Sequence, residues 1–302
     1  MKKYVLSVLL AATSLLSAQA QLVYKVSGKG LEKPSYIVGT HHLATVAMVD
    51  QLPAVREALT NADQVYGELD MNVLNSTANK ERMEQAMLLP ADKSLMGLLT
   101  KEQGQRLDNL LKELMGAGMS NPQVGAKMNR MRPMAMLTNL TLLSYLRNHM
   151  GEFDATANID SYFQKQAQVN NMPVSGLETL DYQLEVLYKS RTLEREVEML
   201  MCFVDNLPFY ETQAEDMTEA YKKHDLNKLL EVMKTSLSNT CDMTKDEWNI
   251  LIDNRNADWA LRMPAIMQAS PTLFAVGVGH LPGEKGVLQL LKDAGYTVEA
   301  VQ

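Results

Sequence analysis

The chain has 302 residues, of which 46% are hydrophobic, and it carries a net charge of −7. This length allows one large domain or two small ones with an ample core. The acidic balance argues against nucleic acid and anionic lipid as partners, because both require a basic surface. No segment beyond the N-terminus is long and apolar enough to cross a bilayer, so we expect no membrane span.

The first twenty residues have the pattern of a bacterial signal peptide. Lys2 and Lys3 precede an apolar run over residues 4–16, and Ala18-Gln-Ala20 fits a small-x-small cleavage site. The apolar run is too short to span a bilayer, although a signal anchor is the alternative interpretation. We therefore expect cleavage near Ala20, a periplasmic or secreted protein, and a single domain over residues 21–302.

The predicted strands lie mostly near the two ends of the chain, and helical patterns fill the middle. Apolar residues recur at helical spacing in 52–62 and 101–115, and 133–146 is predicted to be a buried helix. A mixed sheet built from strands near both termini and covered by a large helical insertion is an α/β (α+β) architecture. The first two strands suit a hairpin. Short β-prone runs occur at 22–26, 35–39, 64–69, 173–178, 272–277 and 297–301.

Nearly the same motif occurs at opposite ends of the chain, as Tyr36-Ile-Val-Gly-Thr-His-His-Leu43 and Phe274-Ala-Val-Gly-Val-Gly-His-Leu281. In each, an apolar β-prone run is followed by Gly-x-x-His, which places an imidazole just past the end of a strand. Neutral imidazole is the commonest protein ligand of divalent metals. The pair predicts a metal site that includes His42 and His280, while the neighbouring His41 could support that site indirectly.

Two carboxylates and one arginine complete the candidate residues. Glu68 ends the third predicted strand, where it could ligate a metal or act as general base on an activated water. Glu178 has an equivalent position after the fourth strand and offers a second carboxylate ligand. Arg255 lies on a predicted helix, where it could bind a substrate carboxylate, stabilise an oxyanion or form a structural ion pair. The sequence contains no H-E-x-x-H, G-x-S-x-G, P-loop or dinucleotide motif.

Cys202 and Cys241 are the two cysteines of the chain. Their surroundings do not match a thiolate metal site, and an exported protein seldom keeps two unpaired thiols. We expect a disulfide between them, with two buried free thiols as the alternative.

Taken together, several segments resemble the TraB/PrgY/GumN family, which is related to the Tiki metalloproteases. The resemblance covers nearly the whole mature chain and is most specific in Val276-Gly-Val-Gly-His-Leu-Pro-Gly-Glu-Lys-Gly286 with Gly295-Tyr-Thr-Val298. Asn254 departs from the family pattern, in which an acidic residue precedes the arginine, and this departure argues against an ion-pair role for that helix. The resemblance also includes the paired Gly-x-x-His motifs, Gly67-Glu-Leu-Asp70, Gly176-Leu-Glu-Thr179, Arg130-Met-Arg-Pro133 and Arg255-Asn256.

The resemblance implies a metal-dependent peptidase that uses a divalent ion, manganese or cobalt, with zinc as an alternative. Carried over residue by residue, His42 and His280 are the metal-binding histidines, Glu68 is the catalytic carboxylate, and Glu178 and Arg255 occupy further family positions. The predicted function is an exported metallohydrolase that cleaves a peptide or protein substrate. Two other classes stay open: a protein that sequesters peptides without cleaving them, and a haem- or metal-binding protein.

Overall fold

The computed structural model describes residues 21–151 and 159–302, so the predicted signal peptide lies outside the described residues. Within them, six strands form one mixed sheet. Each predicted strand overlaps one of the observed strands, and the α+β architecture is confirmed. The strands are β1 Val23–Ser27, β2 Ser35–Thr40, β3 Gln64–Gly67, β4 Val174–Gly176, β5 Thr272–Gly277 and β6 Thr297–Ala300.

The strands are ordered β4-β3-β5-β2-β1-β6 across the sheet. β1 and β2 form the predicted antiparallel hairpin, and β1 also pairs antiparallel with β6. β5 lies between β2 and β3 and pairs in parallel with both, while β4 pairs in parallel with β3. Both central strands are almost entirely buried, which explains their continuous apolar sequences. The C-terminal ends of β4, β3, β5 and β2 therefore lie side by side along one edge.

Helices cover the sheet and form most of the segment between β3 and β5. The predicted helix over 101–115 is confirmed, since a capping box of Thr100 and Gln103 starts it and Gly116, at φ 75°, ends it. A π-helical segment, Asn249–Asp253, joins the helix Lys245–Trp248 to the helix Asn254–Ala269. The helices are α1 Pro53–Asn61, α2 Met71–Leu74, α3 Thr77–Ala86, α4 Leu95–Leu98, α5 Lys101–Met115, α6 Pro122–Met128, α7 Pro133–Asn148, α8 Ile159–Val169, α9 Leu180–Tyr188, α10 Leu193–Asp205, α11 Leu207–Lys222, α12 Leu226–Met233, α13 Lys245–Trp248, α14 Asn254–Ala269 and α15 Val287–Asp293.

Two apolar clusters hold these layers together. The larger one surrounds the sheet and includes Ile37, Phe274 and Trp259. The second lies within the helical insertion, where Leu107 of α5 and Met136 of α7 pack with apolar residues of α10. Burial of such side chains contributes about 1.5–3 kcal/mol each. Because the second cluster consists of residues from the insertion, the insertion has a core of its own.

The predicted disulfide is confirmed, because Cys202 of α10 is bonded to Cys241 in the loop before α13. Closing a loop of this length stabilises a fold by roughly 4 kcal/mol at most. In the described part of the chain, no helix combines the length and the apolar composition that crossing a membrane requires.

Candidate active site

The candidate site lies at the sheet edge where the four parallel strands end. Glu178, Glu68, His280 and His42 follow β4, β3, β5 and β2 respectively. Gly67 lies opposite both Gly176 and Ala275, and Thr40 lies opposite Gly277. Polar groups at the carboxyl ends of parallel strands converge on one crevice. Strand pairing therefore brings to one edge all four residues that the sequence predicted as metal ligands.

Arg255, near the start of α14, lies at the centre of this group and is only 4% exposed. Its Nε donates to Glu178 Oε1 at 2.7 Å, and its Nη2 donates to Glu68 Oε2 at 2.7 Å. Its Nη1 contacts His280 Nε2 at 3.0 Å. The expectation that Asn254 weakens an ion-pair role for this helix is wrong, because the partners of Arg255 come from β3 and β4 and not from its own helix.

Glu178 is buried and anchors the arginine. Its Oε1 also accepts from the indole Nε1 of Trp259 at 3.0 Å, and its Oε2 accepts from Arg255 Nη2 at 3.0 Å. Hydrogen bonds from a guanidinium and an indole to its two oxygens hold the Glu178 carboxylate in one orientation. In this arrangement Glu178 holds Arg255, and the predicted ligand role of Glu178 stays a prediction.

Glu68 is held at both oxygens but keeps a face towards a pocket. Oε1 accepts from the backbone N–H of Gly277 at 2.8 Å, and a side chain at Gly277 would place its Cβ 3.0 Å from that oxygen. Gly277 thus allows the close approach. Burial raises the pKa of Glu68, but His280 where acid protonates it, the Arg255 guanidinium and the Gly277 N–H outweigh burial and lower it. Glu68 is therefore ionised at neutral pH.

His280 is buried, and its hydrogen bonds define its tautomer. Asn256 Nδ2 donates to the carbonyl of Lys285 at 2.9 Å, so the amide oxygen of Asn256 faces the ring. That oxygen lies 2.7 Å from His280 Nδ1, which must then be the protonated nitrogen. Burial, together with the positive charge of Arg255, lowers the pKa of His280 to about 4. His280 is therefore neutral at pH 7, and its Nε2 is an acceptor.

His42 has the same arrangement with a stronger partner. Its Nδ1 lies 2.5 Å from Oδ2 of Asp160, whose Oδ1 accepts from the Thr40 hydroxyl at 2.6 Å. The Asp160 carboxylate raises the pKa of His42 to about 9. Although the two motifs match in sequence, the side chain of His42 is 78% exposed whereas His280 is buried.

His41 points away from this group. Its Nε2 lies 3.2 Å from the Thr218 hydroxyl, and its ring contacts Tyr221. The Tyr221 hydroxyl in turn donates to the carbonyl of Gly39 at 2.9 Å. The direct partner of His42 is thus Asp160, and His41 joins the end of β2 to α11.

A pocket of about 190 Å³ opens beside these residues. His42 and Glu68 line it together with Asp160, Gln164 and Gln183. A neighbouring pocket of about 450 Å³ shares Leu69 and Leu74 with the first and extends along the side of β4. The two pockets together offer room for an extended chain segment.

The donor chemistry of the site fits a divalent cation. His42 and His280 each have Nδ1 fixed by a side-chain oxygen, so Nε2 is the nitrogen of each ring that could face a metal, as in most metal-binding histidines. In this structure Arg255 donates to Glu68 and to His280 Nε2, and His42, with a pKa of about 9, is protonated at pH 7. A bound ion would therefore displace the guanidinium from these atoms and a proton from His42. Within residues 21–151 and 159–302, however, no three His, Cys, Asp or Glu side chains are grouped closely enough to form a metal site.

Sequence reasoning missed Asp160, Asn256 and Gln183. Asp160 lies in the first turn of α8, where an acidic residue is ordinary and carries no functional signal. Asn256 belongs to the Arg255-Asn256 pair of the family resemblance, which implies no role for its side chain. Gln183 Nε2 donates to Glu68 Oε2 at 3.3 Å, and nothing in the local pattern of α9 indicates that contact.

The fold and site define an α+β protein with a buried arginine-carboxylate cluster and two oriented histidines at one sheet edge. The chain belongs to the TraB/PrgY/gumN family, whose model matches residues 22–300. It is 24% identical to metalloprotease TIKI2 of Danio rerio over 88% of the chain and 58% of the relative. It is 23% identical to the metalloprotease TIKI homolog of Nematostella vectensis over 89% of the chain and 65% of the relative.

A third relative, metalloprotease TIKI1 of Danio rerio, is 24% identical over 89% of the chain and 61% of the relative. The chain thus spans less than two thirds of the length of these relatives. No solved structure matches the chain.

Proposed function

We propose that this chain is an exported metal-dependent hydrolase that cleaves peptide bonds. The relatives named metalloproteases support the reaction class. The disulfide, together with the signal-peptide pattern, supports a periplasmic or secreted location. One observation carries the proposal: the histidines of both Gly-x-x-His motifs have Nδ1 fixed by a side-chain oxygen, beside an ionised Glu68.

His42 and His280 would hold the divalent ion, with Glu68 either as a further ligand or as the base, and we propose that the ion is manganese or cobalt, with zinc as an alternative. When bound, the ion would polarise the scissile carbonyl and bring the pKa of a water molecule towards neutrality. Binding through His280 Nε2 requires Arg255 Nη1 to move off that nitrogen, and Glu178 joins the set only if Arg255 leaves its carboxylate as well.

Glu68 is the proposed general base. Gly277 N–H and Arg255 hold its two oxygens in one orientation, so the carboxylate needs no reorganisation when it accepts a proton from water. A carboxylate with a low pKa releases that proton readily, here to the leaving amine. Arg255 positions Glu68 and places a fixed positive charge beside the reacting groups.

The test is turnover of a peptide library by wild type and Glu68→Gln, each with added Mn²⁺, Co²⁺ or Zn²⁺. The variant keeps the size of the side chain and removes its charge, so it should bind peptide and turn over at least about a hundredfold slower. Glu299→Gln, an exposed change on the remote strand β6, is the matched control. If Glu68→Gln cleaves as fast as wild type, Glu68 is not the base.

Wild-type protein that binds peptides but cleaves none with any of the three metals contradicts the hydrolase and selects the sequestering class. A haem absorption band in the purified protein would select the haem-binding class.

A further inference from the structure

A groove of about 530 Å³ lies within the helical layers and takes no part in the chemistry above. Its walls come from α7, α10, α11 and α13, from the end of α12 and from the loop between α12 and α13. Methionine and aromatic rings dominate them, and this combination suits adaptable binding of apolar side chains. The half-buried apolar side chains that line it include Leu137, Met199, Phe209, Tyr210, Met243 and Trp248.

Two elements connect this groove to the candidate site. Met233, which lines the groove, packs against Gly279, where an added Cβ would lie 2.7 Å from Met233 Cε. Gly279 directly precedes His280. On the other wall, Trp248 ends α13, and the chain continues through the π-helical segment into α14 and Arg255. The groove therefore adjoins the side of the site that carries His280 and Arg255.

The loop that forms one wall is fixed in place. Cys241 is bonded to Cys202 of α10. Arg195 Nη2 donates to the carbonyl of Asp242 at 2.7 Å, and Arg195 Nε donates to Glu247 at 2.9 Å. A wall held by a disulfide and an ion pair makes the groove largely preformed, which lowers the entropic cost of binding.

The available charges of the groove are positive, although the whole chain carries −7. Lys234 and Lys245 line it and are exposed, and among the described residues neither pairs with a carboxylate. The Lys234 ammonium lies 5.7 Å from the centroid of the Trp248 ring. The carboxylate that lines the groove, Asp242, accepts hydrogen bonds from the Ser236 hydroxyl and from the backbone N–H groups of residues 237 and 238.

We propose that this groove binds a peptide segment in which an apolar side chain lies next to a carboxylate. The methionine and aromatic walls take the apolar side chain, and Lys234 and Lys245 attract the carboxylate. That carboxylate is the acidic side chain of the neighbouring residue in the peptide. The inference rests on the proposed function in one respect, namely that the bound peptide is also the substrate.

Three fluorescein-labelled octapeptides distinguish the possibilities. The first has Leu-Glu at its centre and an amidated C-terminus. The second has Leu-Gln at its centre and is also amidated. The third is the Leu-Gln peptide ending in Leu with a free C-terminal carboxylate. Fluorescence anisotropy at low salt measures binding to metal-free protein, so the readout does not depend on turnover. The Leu-Glu peptide should bind about tenfold tighter than the Leu-Gln amide, and salt should reduce the difference.

Tighter binding of the free-carboxylate peptide alone would contradict the acidic side chain and assign the groove to a peptide C-terminus. The double variant Lys234→Glu/Lys245→Glu changes two exposed side chains and should abolish the preference. Lys33→Glu is the matched control, because Lys33 is exposed and precedes β2, at the end of the strand opposite to His42. It should keep the preference.

Trp248 reports on the location, since Trp259 is fully buried. Peptide binding should change the emission of wild type, and Trp248→Phe should remove that change. Equal affinity for all three peptides, or a preference that survives the double variant, overturns the proposal. Cleavage without any preference for acidic peptides would support the proposed hydrolase and contradict peptide binding in the groove. Preferential binding without cleavage would contradict the hydrolase and support binding in the groove.

Discussion

At the scale of single residues, two histidines with the same sequence context have different partners. Asn256, an amide, fixes the buried His280, and Asp160, a carboxylate, fixes the exposed His42. When Nε2 binds a proton or a metal ion, the imidazole ring becomes more positive. A carboxylate on Nδ1 stabilises that charge more than an amide does, so it raises the basicity of Nε2 more. His42 is therefore expected to be the stronger of the two metal ligands.

Replacement of Asp160 tests this positioning role. Asp160→Ala removes the acceptor of His42 Nδ1 and should weaken Mn²⁺ binding by roughly 10- to 100-fold, the usual effect of losing such a partner. Asp160→Asn keeps an oxygen without the charge and should give an intermediate affinity. Isothermal titration calorimetry measures both, with the exposed Asp293→Ala as control. Identical affinities in all four proteins would contradict a role for Asp160.

The shared metal site is tested by removing each histidine in turn. If His42 and His280 hold one ion, His42→Ala and His280→Ala should each abolish tight binding of Mn²⁺ or Co²⁺. Circular dichroism should show an intact fold for His42→Ala, because that side chain is 78% exposed. Wild-type affinity in both variants would show that the histidines do not share a metal.

At the scale of elements, the short helix α13 depends on one buried carboxylate. Glu247 caps the helix through Thr244 and forms ion pairs with Arg195 at 2.9 Å and Arg191 at 3.3 Å. Burial alone would raise the pKa of Glu247, but its hydrogen bonds to Arg195 and to the Thr244 N–H lower it to about 2. The folded protein thus binds a proton at Glu247 less readily than the unfolded chain does.

This shift predicts a specific loss of stability in acid. The contribution of Glu247 is fully present above its unfolded pKa of 4.5 and is lost as the pH falls towards 2, and the shift corresponds to about 3 kcal/mol. Glu247→Gln should lower the free energy of unfolding at pH 7 and flatten its dependence on pH between about 5 and 2. Urea unfolding at several pH values measures both effects.

Glu198→Gln is the matched control for Glu247→Gln. Glu198 pairs with the same Arg195, but its side chain is 53% exposed. Exposed pairs contribute about 0–1 kcal/mol, so this variant should follow the wild-type pH curve. Parallel curves for Glu247→Gln and wild type would contradict the burial argument.

The sequence predicted the strands and the strand-end residues well, because both follow local rules. Buried parallel strands have continuous apolar runs, and polar residues just after them face one crevice. The partners of those residues depend on tertiary contacts that no local pattern contains. Asp160 lies 118 residues from His42, and Arg255 lies 187 residues from Glu68. The order of the strands decides these contacts, and the local sequence pattern does not predict that order.

At the scale of the whole molecule, the disulfide and the signal-peptide pattern make one prediction about the exported protein. Its intact mass should correspond to a chain that begins at Gln21 and is two hydrogens lighter than the reduced form. Alkylation without prior reduction should modify neither Cys202 nor Cys241. A full-length N-terminus would contradict processing, and two reactive thiols would contradict the bridge.

The position of β5 in the sheet has a consequence for the order in which the molecule can assemble. β5 separates β2 from β3, although more than two hundred residues are synthesised between those strands and β5. A nascent chain can form the β1–β2 hairpin early, but the edges of β2 and β3 that pair with β5 stay unpaired until residues 272–277 have been synthesised. His280 and the N–H group that orients Glu68 arrive with that same strand. The polypeptide therefore carries no complete candidate site until β5 has joined the sheet, so completion of the sheet and assembly of the candidate site are one event.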